Sequence, residues 1–289
     1  MDMKLKSAKR MRFIIIAIVA AIFVICFLVW QNNGIVITSS EYTNAKIPEE
    51  FDNFKIAHIS DLHNKRFGRG QSVILRKLEG ISPDIIVITG DLIDRRRYNL
   101  EAAMEFIEGA LEIAPVYYVS GNHEAWSGKY ETIRESLEEA GVIVLDDTRI
   151  NIQRGGSSIY ILGLSDPGFL TPSYLDGINM SSVIQHLSAW SVYKEDFNIL
   201  LSHRPELFDI YSEYGMDLIF SGHAHGGQFR IPFIGAIYAP EQGFFPKLTS
   251  GSHTRNSSTL YISCGLGNSI IPIRIFNRPE IVVVSLKSS

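Results

Sequence analysis

Apolar positions fall into two regimes along the 289-residue chain. Residues 13–30 run without a charged or strongly polar side chain. At a helical rise of about 1.5 Å per residue, such a run just spans a thin hydrocarbon core. From residue 54 onward, short β-rich apolar runs alternate with helical periods. Residues 55–60, 84–89, 116–120, 197–201 and 217–221 are candidate buried strands. Residues 71–80, 99–113 and 129–140 are candidate helices, the last followed by Gly141 where a helix stop would use it. Residues 149–154 and 158–164 flank Gly155-Gly156, a hairpin signal, and residues 260–264 and 281–286 close the chain as two further strands. Strands and helices mixed in this way predict sheets covered by helices, an α/β domain.

The first apolar run reads as an uncleaved signal-anchor. Lys4, Lys6, Lys9, Arg10 and Arg12 precede it, and Leu28-Val29-Trp30-Gln31-Asn32-Asn33 offers no small-residue cleavage site. The basic head predicts that residues 1–12 stay cytoplasmic, that 13–30 cross the membrane, and that the rest lies outside the cytoplasm. Residues 31–50 read as a tether, and 51–289 as one domain large enough for a sizeable core.

Charge narrows the partners. Of 27 Lys and Arg and 31 Asp and Glu, five and one precede residue 13, which leaves 22 against 30, a net of −8. That balance argues against nucleic acid as a partner. Cys26 lies in the apolar run and Cys264 in a late strand, so there is no disulfide framework.

Five strand candidates end in polar clusters: Asp61-Leu62-His63, Gly90-Asp91-Leu92-Ile93-Asp94, Gly121-Asn122-His123-Glu124, His203-Arg204-Pro205 and Gly222-His223-Ala224-His225-Gly226-Gly227. In α/β sheets the carboxyl ends of strands are where ligands bind. Carboxylate, carboxamide and imidazole without thiolate suit Mn, Fe, Zn, Co or Ni better than Mg, Ca or a soft metal site. The ligands are too many for one ion. Two divalent ions about 3.5–4 Å apart, sharing a carboxylate, clamp an in-line displacement at phosphorus.

These blocks, in this order, resemble the calcineurin-like metallophosphoesterase superfamily, whose pattern is D-x-H, G-D-x-x-D, G-N-H-[DE], a lone H and G-H-x-H. The resemblance implies that Asp61, His63 and His225 hold one ion, that Asn122, His203 and His223 hold the other, and that Asp91 bridges them. His123 would face the substrate phosphate and leaving group. The implied fold is a four-layer α-β-β-α sandwich of two packed mixed sheets, with 51–289 as the catalytic domain. The stretch from Gly222 to Gln228, with Leu266-Gly267-Asn268-Ser269 and Pro272-Ile273-Arg274 through Arg278-Pro279-Glu280, is similar to the membrane-associated YaeI/YkuE-type phosphodiesterase branch. Some relatives in that branch cleave UDP-2,3-diacylglucosamine, so a lipid-linked or nucleotide-sugar phosphoester is an implied substrate class.

The chemistry expected is hydrolysis by a bridging hydroxide between two divalent ions. His123 would protonate the departing alkoxide, with Asp94 or Glu124 orienting it through its other nitrogen. Gly121, Gly222, Gly226 and Gly227 would permit tight turns at the site. Arg95, Arg96 and Arg97 read equally as a phosphate grip or a solvated charge run. His58, inside a strand, reads as a core histidine, and His186 and His253 as surface residues. Residues 166–190 read as core or loop packing, with an apolar lip for a lipid as the sharper alternative.

Two other functions compete. A Ser/Thr protein phosphatase shares G-D-x-x-D and G-N-H-E, but Asn64 is not followed by its glycine and Arg96 replaces another. A membrane-tethered non-catalytic scaffold on the same fold would have lost ligands, and none is missing here.

Overall fold

The computed structural model describes residues 2–171, 177–268 and 272–289. Residues 172–176 of the 166–190 stretch, and Ser269, lie outside the described residues. The elements that place the site are α1 (Asp2–Asn33), β1 (Val36–Thr43), β2 (Lys55–Ile59), α2 (Ser72–Ile81), β3 (Ile85–Thr89), α3 (Leu100–Leu111), β4 (Val116–Val119), the single turn α4 (Asn122–Ala125), α5 (Tyr130–Ala140) and β5 (Ile143–Val144). The second half adds β6 (Thr148–Arg154), β7 (Ser157–Gly163), α6 (Ser181–Trp190), β8 (Asn198–Leu201), α7 (Phe208–Glu213) and β9 (Leu218–Ser221). Two small hairpins follow, β10 (Arg230–Ile231) with β11 (Gly235–Ala236) and β12 (Tyr238–Ala239) with β13 (Gly243–Phe244). Strands β14 (Gly251–Arg255), β15 (Ser258–Ile262) and β16 (Glu280–Lys287) complete the chain.

Two six-stranded mixed sheets result, ordered β1-β16-β2-β3-β4-β5 and β14-β15-β9-β8-β7-β6. Strands β2, β3 and β4 run parallel, as do β7, β8 and β9, so their carboxyl ends share one edge of each sheet. The period of two decides the layers. On β3, Ile85 and Val87 point between the sheets, where they meet Ile161, Ile199 and Phe220. Ile86 and Ile88 point outward onto Leu78, Phe106 and Leu137 of α2, α3 and α5. The other sheet turns Leu162, Leu200 and Ile219 outward onto Leu187 of α6 and Tyr211 of α7. Both faces of the central strands are therefore buried, which is why they read as continuous apolar runs. The expected α-β-β-α sandwich is the observed one.

Local chemistry sets the ends. Asn99 Oδ1 accepts from the Ala102 N–H at 3.2 Å and caps α3. Gly155 and Gly156, with φ of 57° and 90°, close the β6–β7 hairpin as its two-residue turn requires.

Part of the 31–50 stretch differs from a tether. Residues 36–43 form β1, an edge strand lying parallel to β16 from Val36↔Glu280 to Thr43↔Lys287. Its Ser- and Thr-rich sequence is mostly exposed and shows no buried alternation, so only the pairing with a strand some 240 residues away defines it. Helix α1 is long and apolar enough over Lys9–Asn33 to cross a membrane, and its side chains from Phe13 to Cys26 are exposed. Its last turn is built into the domain. Gln31 Oε1 accepts from the Asn277 N–H, and Asn32 Oδ1 from the Arg274 N–H and the Asn268 amide, all within 3.3 Å. His186 and His253, expected on the surface, are half-buried beside Ser182 and Ser250.

Candidate metal centre

The loops after β2, β3 and β4 of one sheet and after β8 and β9 of the other meet at one end of the sandwich. The first two are laced together, with the N–H groups of Asp61 and His63 donating to the carbonyls of Gly90 and Asp91 at 3.1 and 3.0 Å. Gly222 and Gly121 allow the rest to close in. A Cβ on Gly222 would lie 2.4 Å from Asp61 Oδ2, and one on Gly121 would lie 2.4 Å from Asp91 Oδ1. Asp61, His63, Asp91, His223 and His225 all adopt left-handed backbone, with φ between 48° and 62°. Each such non-glycine residue costs about 1–3 kcal/mol, which the surrounding fold must offset.

Two sets of ligand atoms lie side by side. In the first, His63 Nε2 and His225 Nε2 are 3.1 Å apart, and Asp61 Oδ1 is 3.7 and 3.3 Å from them. In the second, His203 Nε2 is 3.1 Å from Asn122 Oδ1 and 3.1 Å from His223 Nδ1. Asp91 stands between the sets, with Oδ2 3.5 Å from His63 Nε2 and 3.4 Å from His203 Nε2.

These sets fit cations. Asp61 Oδ1 is buried with no hydrogen-bond donor among the described residues, a costly state for a carboxylate oxygen that a cation relieves. The Thr89 carbonyl can only accept, so His203 Nδ1, 2.7 Å away, carries a proton and leaves Nε2 as the ligand nitrogen of the neutral ring. Two imidazole nitrogens that share one ion at about 2.1 Å and near a right angle stand about 3 Å apart, which the His63–His225 spacing matches.

Electrostatics follow from burial and facing charge. Burial works against the Asp91 carboxylate, but the His203 and His123 rings outweigh it and hold the group well below the usual carboxylate range. Burial likewise opposes a charged His203, yet the Asp91 carboxylate raises this imidazole to about 10. His123 goes the other way. Burial, only partly offset by Asp91, pushes it down to about 4.

His123 lines the cleft and sets its ring edge-on to His63, with centroids 4.5 Å apart. Its Nδ1 accepts from the Arg95 N–H at 3.1 Å, nearer than Asp94 Oδ1 at 3.7 Å. Asp94 meanwhile accepts from the Arg96 N–H and pairs with the Arg97 guanidinium at 2.8 Å. Glu124 accepts from the N–H groups of Asp91, Ile93 and Gly121, so it fixes the two loops. Burial and the Asp91 charge raise this carboxyl to about 7. Arg95 and Arg96 line the cleft, and the Arg95 guanidinium lies over Trp126. His58 is buried between the sheets, hydrogen-bonded to Thr89 Oγ1 at 2.8 Å and packed on Phe220.

Sequence reasoning missed a buried network behind His223. Arg204 pairs with both oxygens of Asp166, at 2.7 and 3.0 Å, and its Nη1 reaches Glu241 at 2.9 Å. The other Glu241 oxygen lies 2.6 Å from His223 Nε2. Glu206, His223 and Glu241 also bring ligand atoms within 4.8 Å of one another, but Arg204 already supplies the positive charge there. No local sequence signal marks Glu241, whereas Arg204 adjoins His203 within a motif.

The cleft encloses about 360 Å³ and is lined by Asp91, Asn122, His223 and His225 together with Phe229, Ile237 and Tyr238. A family model for calcineurin-like phosphoesterases matches residues 54–227. The chain is 31% identical over 262 residues to YkuE, an uncharacterised metallophosphoesterase of Bacillus subtilis (strain 168), covering 88% of this chain and 86% of that protein. It is 27% identical over 240 residues to the phosphodiesterase YaeI of Escherichia coli (strain K12), covering 81% and 82%. Among solved structures, TT1561 of Thermus thermophilus shares the fold, with a TM-score of 0.50 at 12% identity over 73% of this chain and 89% of that one.

Proposed function

Since the chain belongs to the calcineurin-like phosphoesterases and is thereby a hydrolase of phosphoester bonds, we propose that it works with two divalent transition-metal ions and is held at the membrane by α1. Asp61, His63 and His225 would hold one ion, Asn122, His203 and His223 the other, and Asp91 both. The observation that carries this reading is that one oxygen, Asp91 Oδ2, lies within 3.5 Å of a histidine of each set. Bound there, the ions would supply Lewis acidity toward phosphate oxygens and activation of water as the nucleophile.

The side chains do the rest. Arg95 and Arg96, at the cleft wall, match the charge of a phosphate group. His123 is placed to serve the leaving-group oxygen, and Asp94 keeps the Arg95–Arg97 turn in shape through its bonds to Arg96 and Arg97. Trp126, Phe229 and Tyr238 suit an apolar or ring-bearing portion of the substrate. The description of YaeI as a phosphodiesterase supports a diester, and the basic residues that precede Phe13 support an extracytoplasmic domain acting on lipid-linked or nucleotide-sugar phosphoesters of the envelope.

Turnover of bis(p-nitrophenyl) phosphate by the full chain with added Mn, measured before and after exhaustive chelation, tests the metal reading. Wild-type activity that survives chelation, or activity retained in Asp91→Ala, overturns it. Protease added to intact spheroplasts should digest the domain and spare α1; digestion only after lysis reverses the orientation.

A further inference from the structure

We propose that the rim formed by the β10–β11 and β12–β13 hairpins is a bilayer-contact surface, so that the cleft opens against the membrane in which α1 sits. This rests on the reading that α1 crosses the membrane.

Topology gives the first reason. Strand β1 starts at the sheet edge that carries the metal-site loops, because it runs parallel to β16, which is antiparallel to β2. Helix α1 therefore leaves the domain on the cleft side. The helix end is also fixed rather than free. Gln31 is hydrogen-bonded to Asn277 and Asn32 to Asn268 and Arg274, Lys65 Nζ donates to the Asn32 carbonyl, and the Arg278 guanidinium lies over Trp30.

The second reason is the level at which the domain meets the helix. Phe27 packs edge-on against Phe276 at 5.6 Å between centroids. Phe27 lies three residues, about 4.5 Å, inside the end of the apolar run. Phe276 thus stands at the outer boundary of the hydrocarbon layer. Hairpin β10–β11 is sewn to the same segment, since Phe229 bridges Ile275 and the Arg230 N–H donates to the Ile275 carbonyl at 3.1 Å. Phe276, Ile231, Phe233 and Ile234 line one depression.

The third reason is what the rim exposes. Phe233 is fully exposed, and Ile234, Phe244 and Phe245 are 64%, 75% and 66% exposed. The depression shared by Ile231, Phe233, Ile234 and Phe276 is an exposed apolar patch of the kind that marks an interaction surface, and exposed Phe side chains gain apolar burial at the headgroup–acyl boundary. A bilayer is the occupant that continuity selects, because the patch joins through Phe276 to a side chain of the membrane helix itself. Phe229 and Ile237, which adjoin these hairpins, and Tyr238 of β12 line the cleft. A phosphoester in the headgroup layer would reach the metal ligands without leaving the membrane surface.

The test is photolabelling of the unmodified full chain in phospholipid vesicles that contain a diazirine-bearing acyl chain, with adducts mapped by peptide mass spectrometry. Adducts are expected on residues 9–33, on 231–234 and on 244–245, with none at Thr43, which lies at the far end of β1, about 23 Å beyond Val36 at roughly 3.3 Å per residue. Adducts on the helix but not on either hairpin would overturn the proposal and leave the anchor standing. Labelling of the hairpins that appears only on dilution of the protein in lipid would assign the surface to a second copy of the chain instead. Absence of adducts on residues 9–33 would remove the anchor reading itself.

Discussion

Glu241 holds His223 from behind: its carboxylate lies 2.6 Å from His223 Nε2, while Nδ1 of the same ring lies 3.1 Å from His203 Nε2. The carboxylate is nearer to Nε2 than Arg204 Nη1 at 3.2 Å, and a carboxylate accepts, so Nε2 keeps the proton and Nδ1 presents its lone pair to the proposed second ion. Glu241→Ala should weaken that ion by about 10–100-fold and leave the first unchanged. Calorimetric titration of the ion-free chain with Mn would read two affinities, of which one moves. Unchanged binding of both would show that Glu241 does not set the ring.

Loading the second ion should release a proton. His203 Nδ1 donates to the Thr89 carbonyl, and the Asp91 carboxylate, against burial, raises the ion-free ring to about 10. At pH 8 this raised group holds a proton on Nε2, the atom the ion needs. Binding should therefore tighten as pH rises, by about tenfold per unit while one proton is displaced, and level off near pH 10. Titrations in buffers of different ionisation enthalpy count the protons. A heat independent of the buffer would contradict this account.

His58 should make the domain sensitive to acid. Burial pushes its pKa down to about 3, while its unfolded value is near 6.5. With the folded pKa depressed, its stability contribution is present above pH 6.5 and is lost as pH falls toward 3. By pH 5 the unfolded chain gains about 2 kcal/mol over the folded one from this group alone. Chemical unfolding of wild type and His58→Gln at pH 7 and pH 5 isolates the term, because the variant lacks it and its stability deficit should shrink at the lower pH. A deficit that stays constant would mean that burial does not keep the His58 ring neutral.

The sandwich was legible because both faces of its central strands are buried: residues 85–89 and 218–221 are apolar at nearly every position. The candidate site was legible because its ligands sit within a few residues of strand ends, in blocks such as Asp61-Leu62-His63. What escaped was long-range or conformational. Strand β1 has little apolar pattern and exists through β16. Glu241 reaches His223 from a hairpin with no motif, and Asp166 meets Arg204 across 38 residues. The left-handed backbone at Asp61, His63, Asp91, His223 and His225 is imposed by the loops packing on one another, which no window of sequence contains. Asp94 shows the limit of motif reasoning, since its carboxylate bonds the Arg96 N–H and Arg97 while the Arg95 N–H takes His123 Nδ1.

That last bond shapes the expected behaviour of His123. With Nδ1 accepting from the Arg95 N–H and the ring pushed down to about 4 by burial, His123 is neutral at pH 7 in the substrate-free cleft and carries its hydrogen on Nε2. A phosphoester anion beside it favours the charged ring, so the proton it delivers should arrive with the substrate. The pKa seen in kcat, which reports the complex, should therefore lie above the one in kcat/KM, which reports the free enzyme. His123→Ala should keep both ions, since Asn122 and not His123 faces His203 Nε2, and should lower kcat by about 10²–10⁴. The loss should be largest for alkyl leaving groups and smaller for p-nitrophenolate, which departs without a proton. Metal analysis beside kinetics on the two substrate types decides: a missing ion, or equal losses on both substrates, would take His123 out of this role.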